Sequence, residues 1–369
     1  MRVTNAPMYR KYSAAVNDVH SNLNKAMNKI SSGAAYEAAA DNPLAYYQGK
    51  KMDHQFLDTE AKLELMGDVK NRIYQQELGA REVQSLLTKA KTLDVEYILN
   101  GTNNIKPTTV ETIRSSLIQK QQSAVNTLNA QYENFYIYGG NDLSTSPFAM
   151  DADGKTLTFN HKFPGDTAVT TIKMTMKQQA DGTYGFDVSD ADLELIRKAM
   201  TERGYVDIGY GTIDEPSTLL DTFTGGFNVM TGVNADTAKT MSPADLRKAL
   251  NNSSVGLMAQ AIAVTDSYLD NEDLGTFTKD LSQVMDNMTL AEHKVSSIYS
   301  DLGNKYSLIE TTETRLKSLE DGLKEEYKDK LGADPYEAIM EMFSYQFSYT
   351  ASLQLSSKIM ESSLFNFIN

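Results

Sequence analysis

Apolar residues along most of this chain are spaced alternately three and four positions apart, a pattern typical of helices that pack as coiled coils. The first such run ends at Ser31-Ser32-Gly33, where glycine suits a helix C-terminus. Asn42 and Pro43 then predict a second helix, with Asp41 or Asn42 as the N-cap and proline at the first helical position. The apolar positions of the first run are Val16, Val19, Leu23, Ala26 and Ile30.

The same spacing continues in three further runs. The second helix is predicted to end at NGTNNIKP (100–107), and the third to extend from Val110 to Phe135. From Phe277 a heptad pattern is nearly unbroken, and Lys305 and Thr312 are two polar positions in it. The second run comprises Val69, Ile73, Gln76, Ala80, Val83, Leu87, Ala90, Asp94 and Tyr97. The long run comprises Phe277, Leu281, Val284, Met288, Ala291, Val295, Ile298, Leu302, Ile309, Leu316, Leu319 and Leu323.

The last predicted helix, after LGADP (331–335), is unusually apolar, since residues 342–369 contain only two charges. A helix with apolar residues on several faces is stable only if most of its circumference is covered. Within the chain, the first helix is its one available partner and covers one face, so we expect the other faces to contact other molecules. The residues expected to pack between subunits are Val16, Val19, Leu23, Ala26, Ile30, Phe343, Leu353, Met360, Leu364 and Phe367.

The character of the sequence changes between about residues 150 and 240. KTLTFNH, TAVTTIKMTM and TYGFDV are short β-rich runs separated by glycine-containing turns, and residues 190–203 predict one short helix. We therefore expect a small β-rich (α+β) outer domain at 151–239. It is inserted into a helical bundle with a β-hairpin, 43–150 plus 240–335, and residues 1–42 plus 336–369 form a terminal helical domain.

One junction stands out, the stretch YIYGGNDLSTSPF at residues 136–148. Its first three residues are β-formers, and the two glycines tolerate positive φ. The stretch therefore predicts a strand, a turn and a new element, with residues 227–232 as a candidate partner strand. The residues predicted to form this junction turn are Tyr138, Gly139, Gly140, Pro147 and Phe148.

Composition narrows the possible functions. The formal net charge of −14 argues against binding the phosphate backbone of nucleic acid. No segment approaches the roughly 20 apolar residues of a membrane span, and the N-terminus lacks the apolar core of a cleavable signal peptide. The absence of cysteine excludes disulfides and thiolate sites. It is consistent with chance, or with export to an oxidising exterior where a free thiol is a liability.

No motif in the sequence predicts catalysis. The four histidines are scattered, and DADGK (151–155) lacks the later ligands of a calcium loop. The glycine pairs do not lie between a strand and a helix, as a phosphate-binding loop requires. We therefore expect no enzymatic activity, no cofactor and no metal.

The heptads have an ordinary interpretation, the core of a helical bundle. Their placement at both ends of the chain, with the β-rich insert between them, instead favours a mainly α fold. It would be an elongated rod of antiparallel coiled-coil helices, with both termini at one end and the insert at the other.

This arrangement resembles the flagellin superfamily. KISSGAAYEAAADNPLAYYQGKKM (29–52) is similar to the family's N-terminal signature, although Asn42 and Ala34 depart from it. NAQYENFYIYGGNDLSTSPF (129–148) resembles the junction of the hook–filament junction proteins, where the helical core passes into the outer domain. Residues 281–316 and the ending SLFNFIN resemble the C-terminal core helices. The resemblance covers about 1–150 and 240–369.

The resemblance implies a structural subunit of the bacterial flagellum that joins hook to filament by packing its terminal helices. It implies a homo-oligomeric ring, with another hook-associated protein and flagellin as axial neighbours. An export chaperone would cover the C-terminal helix, and the subunit would be exported through the flagellar type III secretion channel to the exterior. The alternatives are flagellin itself and, from another class, a secreted adhesin or binding protein.

Overall fold

The computed structural model describes residues 6–36, 38–101, 105–208 and 219–368, with the backbone alone for residues 6, 8 and 356–368. The chain divides into two compact units, Met1–Glu64 with Thr314–Asn369 and Leu65–Glu313. The three domains predicted from the sequence have boundaries different from those of these two units, and that division stays a prediction. The helices are α1 (Ala6–Ser32), α2 (Pro43–Lys89), α3 (Glu96–Asn100), α4 (Pro107–Leu128), α5 (Asp190–Met200), α6 (Gly226–Thr231), α7 (Ala235–Thr240), α8 (Pro243–Asn251), α9 (Ser254–Asn271), α10 (Leu274–Leu331) and α11 (Pro335–Ile368).

The strands that the structure describes lie in the second unit. They are β1 (Gln131–Tyr132), β2 (Phe135–Tyr136), β3 (Phe148–Met150), β4 (Thr156–His161), β5 (Thr170–Gln178), β6 (Tyr184–Asp187), β7 (Tyr205–Asp207) and β8 (Leu219–Asp221). The described chain thus combines long helices with a small antiparallel sheet region. The predicted fold class, mainly α with β-rich structure inserted between the helices, is confirmed.

In the first unit, helix ends form where the sequence predicts them. Gly33 adopts a left-handed φ of 70°, and its N–H donates to the Lys29 carbonyl at 2.9 Å, which ends α1. The Asn42 side chain accepts the Ala45 N–H at 3.1 Å and caps α2. The turn after α1 also pairs with the turn after α10, because Ala333 donates its N–H to the Gly33 carbonyl at 2.8 Å.

In the second unit, α2 and α10 pack along the predicted apolar seams. Ile73 and Val83 on α2, and Leu281 and Val295 on α10, are fully buried. Thr312, predicted as a polar seam position, is also buried, and its hydroxyl donates to the Leu308 carbonyl of its own helix. Ion pairs at the edges of the seam join the helices between Lys70 and Glu313 and between Lys91 and Glu292.

A π-helical turn, Ala90–Val95, follows α2 and changes the register of the seam. The prediction that Tyr97 continues the seam is wrong, since Tyr97 is 61% exposed and Ile98 is buried instead. A π-helical turn accommodates an extra residue, which rotates the following residues around the helix axis. Asp94 remains buried because Lys120 pairs with its carboxylate at 2.7 Å.

The third helix is shorter than predicted. α4 ends at Leu128, and residues 131–136 form the hairpin β1–β2 rather than more helix. The two turn residues, Glu133 and Asn134, both have positive φ, which a two-residue turn of type I′ requires. The apolar spacing through Tyr132 and Phe135 therefore belongs to strands.

The four-stranded antiparallel sheet has the order β3-β4-β5-β6. Its buried face includes Leu157, Phe159, Met174 and Phe186, and α4 and α9 pack near its two edges. At one edge, the Asn251 side chain accepts the Phe186 N–H at 2.8 Å. An asparagine at the end of α8 thereby accepts the hydrogen bond that a neighbouring strand would otherwise accept at this edge of the sheet.

The candidate partner strand at residues 227–232 is not a strand. Gly226–Thr231 forms the short helix α6, all of whose residues are buried. Its first N–H, from Gly226, donates to the Tyr138 carbonyl at 3.0 Å. The segment after Gly225 therefore does bond to the junction, as predicted, but as a helix and not as a strand. The bond comes from an N–H at the helix N-terminus, which has no partner within the helix.

We predict that Asn251→Ala lowers the free energy of unfolding by about 1–3 kcal/mol, because it leaves the buried Phe186 N–H without an acceptor. The neighbouring Asn252→Ala is the matched control and should cost less. Urea denaturation of both variants measures the difference. Equal destabilisation by the two substitutions would contradict a role for Asn251 at the sheet edge.

Candidate functional site

Tyr138 fastens the predicted junction to helix α2 through a reciprocal pair of hydrogen bonds. Its buried hydroxyl donates to the Gln76 carbonyl at 2.5 Å. The Gln76 side-chain amide in turn donates to the Ile137 carbonyl at 2.7 Å. Burial raises the pKa of Tyr138 far above its usual value, so the hydroxyl stays protonated and able to donate. Two buried backbone carbonyls thereby gain partners without water.

A glycine in α2 makes this contact possible. A Cβ atom at Gly79 would overlap the Tyr138 hydroxyl and would lie 3.1 Å from the ring. Glycine in a helix interior costs about 1 kcal/mol relative to alanine. The cost is offset here because the lack of a side chain at Gly79 allows the Tyr138 ring to pack against the helix backbone.

The glycine pair after Tyr138 forms the expected tight turn. Asp142 donates its N–H to the Gly139 carbonyl at 3.1 Å, and Gly140 has a φ of 63°. The next N–H, from Asn141, donates to the Glu202 carboxylate at 2.7 Å. The other oxygen of Glu202 lies 2.9 Å from Nε2 of His161, in a pair that is nearly inaccessible to solvent.

Asp142 holds the second half of the junction. Its carboxylate accepts the N–H groups of Ser144, Thr145 and Lys162 at 3.1, 3.1 and 2.8 Å. Burial by itself would raise the pKa of Asp142, but these hydrogen bonds outweigh burial and lower it. The ionised carboxylate is therefore the form that orders residues 142–145.

Pro147 and Phe148 close the junction onto the sheet. The Pro147 carbonyl accepts the Asn160 N–H at 2.9 Å. The Asn129 side chain donates to the Phe148 carbonyl at 2.6 Å and accepts its N–H at 2.9 Å. The Phe148 ring lies 5.4 Å from that of Phe159, and Gly226 packs so closely that a Cβ there would overlap it.

Tyr138 and Phe148, two of the five predicted junction residues, both contact Gly226, the first through its backbone carbonyl and the second through its ring. Sequence reasoning missed several partners, namely Gly79, Asn129, His161 and Glu202. A glycine inside a strong heptad run was a usable signal for Gly79. The others are distant in sequence and have no local signature.

This arrangement is suited to holding backbone in place. In the part of the chain that the structure describes, no cluster of three or more histidine, cysteine or acidic side chains could hold a metal ion. Over the same residues, no helix has both the length and the apolar character needed to cross a membrane.

The terminal helices form the second candidate region, within the first unit. Lys29 of α1 pairs with Glu341 of α11 at 3.0 Å, and the ring of His20 lies 5.4 Å from that of Tyr349. Tyr12 also donates to the Ser352 carbonyl. One face of α11 is therefore covered by α1 of the same chain.

The residues predicted to pack between subunits occupy different environments. Val16, Val19 and Leu23 are half-buried, Ala26 is buried, and Ile30 is exposed. Phe343 and Leu353 of α11 are exposed, whereas the side chains of Met360, Leu364 and Phe367 lie outside the described part. Whether these residues contact another subunit stays a prediction.

The face of α11 away from α1 carries an uncovered row of large apolar side chains, which we name the outer stripe. Its members are 57–83% exposed, and their spacing of four, three and four residues places them on one side of the helix. The outer stripe consists of Tyr336, Met340, Phe343 and Phe347.

Solved structures with a similar arrangement are flagellar proteins. A protein from Vibrio parahaemolyticus assigned as a flagellar hook-associated protein matches with a TM-score of 0.53 and 10% identity, over 79% of this chain and 100% of that one. Flagellar hook-associated protein-3 from Legionella pneumophila matches with a TM-score of 0.49 and 10% identity, over 76% and 98%. Bacillus cereus FlgL matches with a TM-score of 0.42 and 15% identity, over 75% and 99%.

Of these three, the Vibrio protein is similar enough to show a shared fold. The whole length of the Vibrio protein is covered by the match. No protein-family model and no curated protein matches the chain in sequence. The resemblance inferred from the sequence is thus confirmed at the level of fold.

We predict that Gly79→Ala destabilises the protein, although alanine is the better helix former by about 1 kcal/mol. The new methyl group would displace Tyr138 and break its hydrogen bond to Gln76. The matched control on the same helix is Gly67→Ala, where a Cβ meets no atom within 4 Å and should not destabilise. Chemical denaturation distinguishes the two. A Gly79→Ala variant as stable as Gly67→Ala would disprove the proposed packing.

We also predict that Asp142 contributes stability that depends on pH. Because its folded-state pKa is lowered, the contribution is complete above the unfolded-state pKa of about 3.9 and is lost as pH falls through the folded-state value. Asp142→Asn should therefore be less stable than the wild type at pH 7, and the gap should narrow below about pH 4. Thermal melts across this range measure it, with the exposed Asp153→Asn as a control. A gap that stays constant with pH would refute the assignment.

Proposed function

We propose that this chain is a non-enzymatic structural subunit of the bacterial flagellum, which joins hook to filament as hook-associated protein 3 does. The proposal combines the fold shared with a protein assigned as a flagellar hook-associated protein and the sequence resemblance at residues 129–148. The subunit would act outside the cell, after export through the flagellar type III secretion channel.

The observation that carries the proposal is the outer stripe. Two phenylalanines, Phe343 and Phe347, are 57% and 76% exposed on a helix whose opposite face is already covered. Large contiguous apolar surface of this kind marks a site of protein contact in soluble chains. An assembling subunit would bury it against its neighbours.

Packing of this kind transmits force without chemistry. Each large apolar side chain that becomes fully buried contributes about 1.5–3 kcal/mol, so a few residues per subunit suffice when the contact repeats around a ring. The ring would consist of copies of this chain. Another hook-associated protein and flagellin would be its axial neighbours, and an export chaperone would cover α11 before assembly.

Flagellin is the second candidate, since both classes pack terminal helices. The junction turn favours the junction protein, because the sequence YGGND…SPF resembles that class and Tyr138, Asp142 and Phe148 are all held by specific bonds. A secreted adhesin is a weaker alternative. It would require a ligand-binding site in residues 151–239.

We predict that Phe347→Asp abolishes self-assembly while leaving the fold intact. The substitution places a charge in a contact that must lose its water, at a cost of several kcal/mol per interface. In the isolated chain the same side chain is exposed, so the melting temperature should change little. Light scattering at increasing concentration measures assembly, and swimming of a strain that lacks its own junction protein measures function.

The control is Ser300→Asp, which adds the same charge at an exposed position of α10, outside the outer stripe. It should assemble and support swimming. Complementation of a junction-protein deletion, but not of a flagellin deletion, separates the two flagellar candidates. Normal swimming with Phe347→Asp would overturn the role given to the outer stripe.

A further inference from the structure

An apolar slot lies between α2 and α10 in the first unit. It has a volume of about 220 Å³. Met52 and Leu323 form its buried walls, and Tyr327 at its edge is 37% exposed. Lys324 lies at the slot with its ammonium 5.3 Å from the centre of the Phe56 ring. The residues that line it are Met52, Asp53, Phe56, Leu323, Lys324 and Tyr327.

The slot matches an aromatic ring in size and chemistry. An apolar cavity of about 150 Å³ is known to accept benzene, so this slot has room for a phenyl group. The Lys324 ammonium would also lie close to an entering ring, and cations are attracted to aromatic faces. Four of the six lining side chains are apolar or aromatic, which favours a hydrocarbon occupant over a charged one.

We propose that Phe347 of a second copy of this chain enters the slot. This inference rests on the proposed function, since it names the neighbour that the outer stripe contacts. Each copy would then present its outer stripe to one neighbour and its slot to another. Such a head-to-tail contact closes into a ring when the rotation between copies allows it.

Three observations favour a second copy as the occupant. Phe347 is 76% exposed, the most of any phenylalanine whose side chain the structure describes. Residues 342–357 carry no charged side chain, so the helix around Phe347 can approach an apolar slot without burying an unpaired charge. The four stripe side chains present on the order of 500 Å², more than half of the about 800 Å² that one partner buries in a stable interface.

The absence of cysteine from the chain allows a direct test. Ala351→Cys places a thiol one helical turn from Phe347 and keeps the phenyl ring. Asp53→Cys places the second thiol at the slot and keeps its apolar walls. The two full-length variants are mixed under assembling conditions and oxidised, and disulfide-linked dimers are quantified on non-reducing gels. In a head-to-tail contact, residue 351 of one copy lies near residue 53 of the next. Either variant by itself therefore places no two thiols close together.

The control for the slot is Asp58→Cys, an exposed carboxylate on the same helix that does not line it. We expect about tenfold more cross-linked dimer from 351 with 53 than from 351 with 58, because the contact raises the local thiol concentration. Adding Phe347→Ala to the first variant should remove the excess. Its melting temperature should stay unchanged, since the ring is largely exposed in the isolated chain.

The outcomes separate this inference from the proposed function. Equal cross-linking at positions 53 and 58, in a chain that light scattering shows to assemble, overturns the slot contact and leaves the flagellar role in place. Persistence of the excess in the Phe347→Ala variant also overturns it, because another group then holds the copies together. A chain that stays monomeric at every concentration contradicts both.

Discussion

Buried backbone polar groups at residues 137–148 must find hydrogen-bond partners without water, and the second unit is organised around this requirement. Gln76 and Asn129 supply side-chain amides to the Ile137 and Phe148 carbonyls. At the exposed part of the turn, Glu202 accepts the Asn141 N–H, and Asp142 accepts the Ser144 and Thr145 N–H groups in partly buried hydrogen bonds. These partners come from α2, the end of α4, the residues after α5 and the turn itself. The path of the chain from helix to sheet is therefore held from several directions.

Close packing follows from the same requirement. Tyr138 can donate to the Gln76 carbonyl because Gly79 leaves the helix surface open. Phe148 can lie against Phe159 because Gly226 has no side chain to displace it. Each glycine costs conformational entropy on folding. The cost is offset where the absent side chain permits a buried aromatic ring and a satisfied carbonyl.

The first unit is shaped by a different constraint. Its helix α11 has more apolar surface than the rest of the chain covers. α1 meets one face of α11 through Lys29–Glu341 and the His20–Tyr349 ring contact. The outer stripe, which includes Phe347, remains in contact with solvent in a single copy. Such a surface is stable in water only at low concentration or in an assembly. Identifying what contacts the outer stripe in an assembly therefore tests both the proposed function and the slot contact.

The sequence by itself determined the features that depend on local spacing. Gly33 and Asn42 mark helix ends, and the buried seam of α10 follows its heptads, because capping and periodicity act over a few residues. Only the tertiary structure decided the exposure of Tyr97, the hairpin at 131–136 and the helical state of 226–231. A π-helical turn, the helix end at Asn129 and the bond from Gly226 to Tyr138 depend on residues distant in sequence, which no local pattern records.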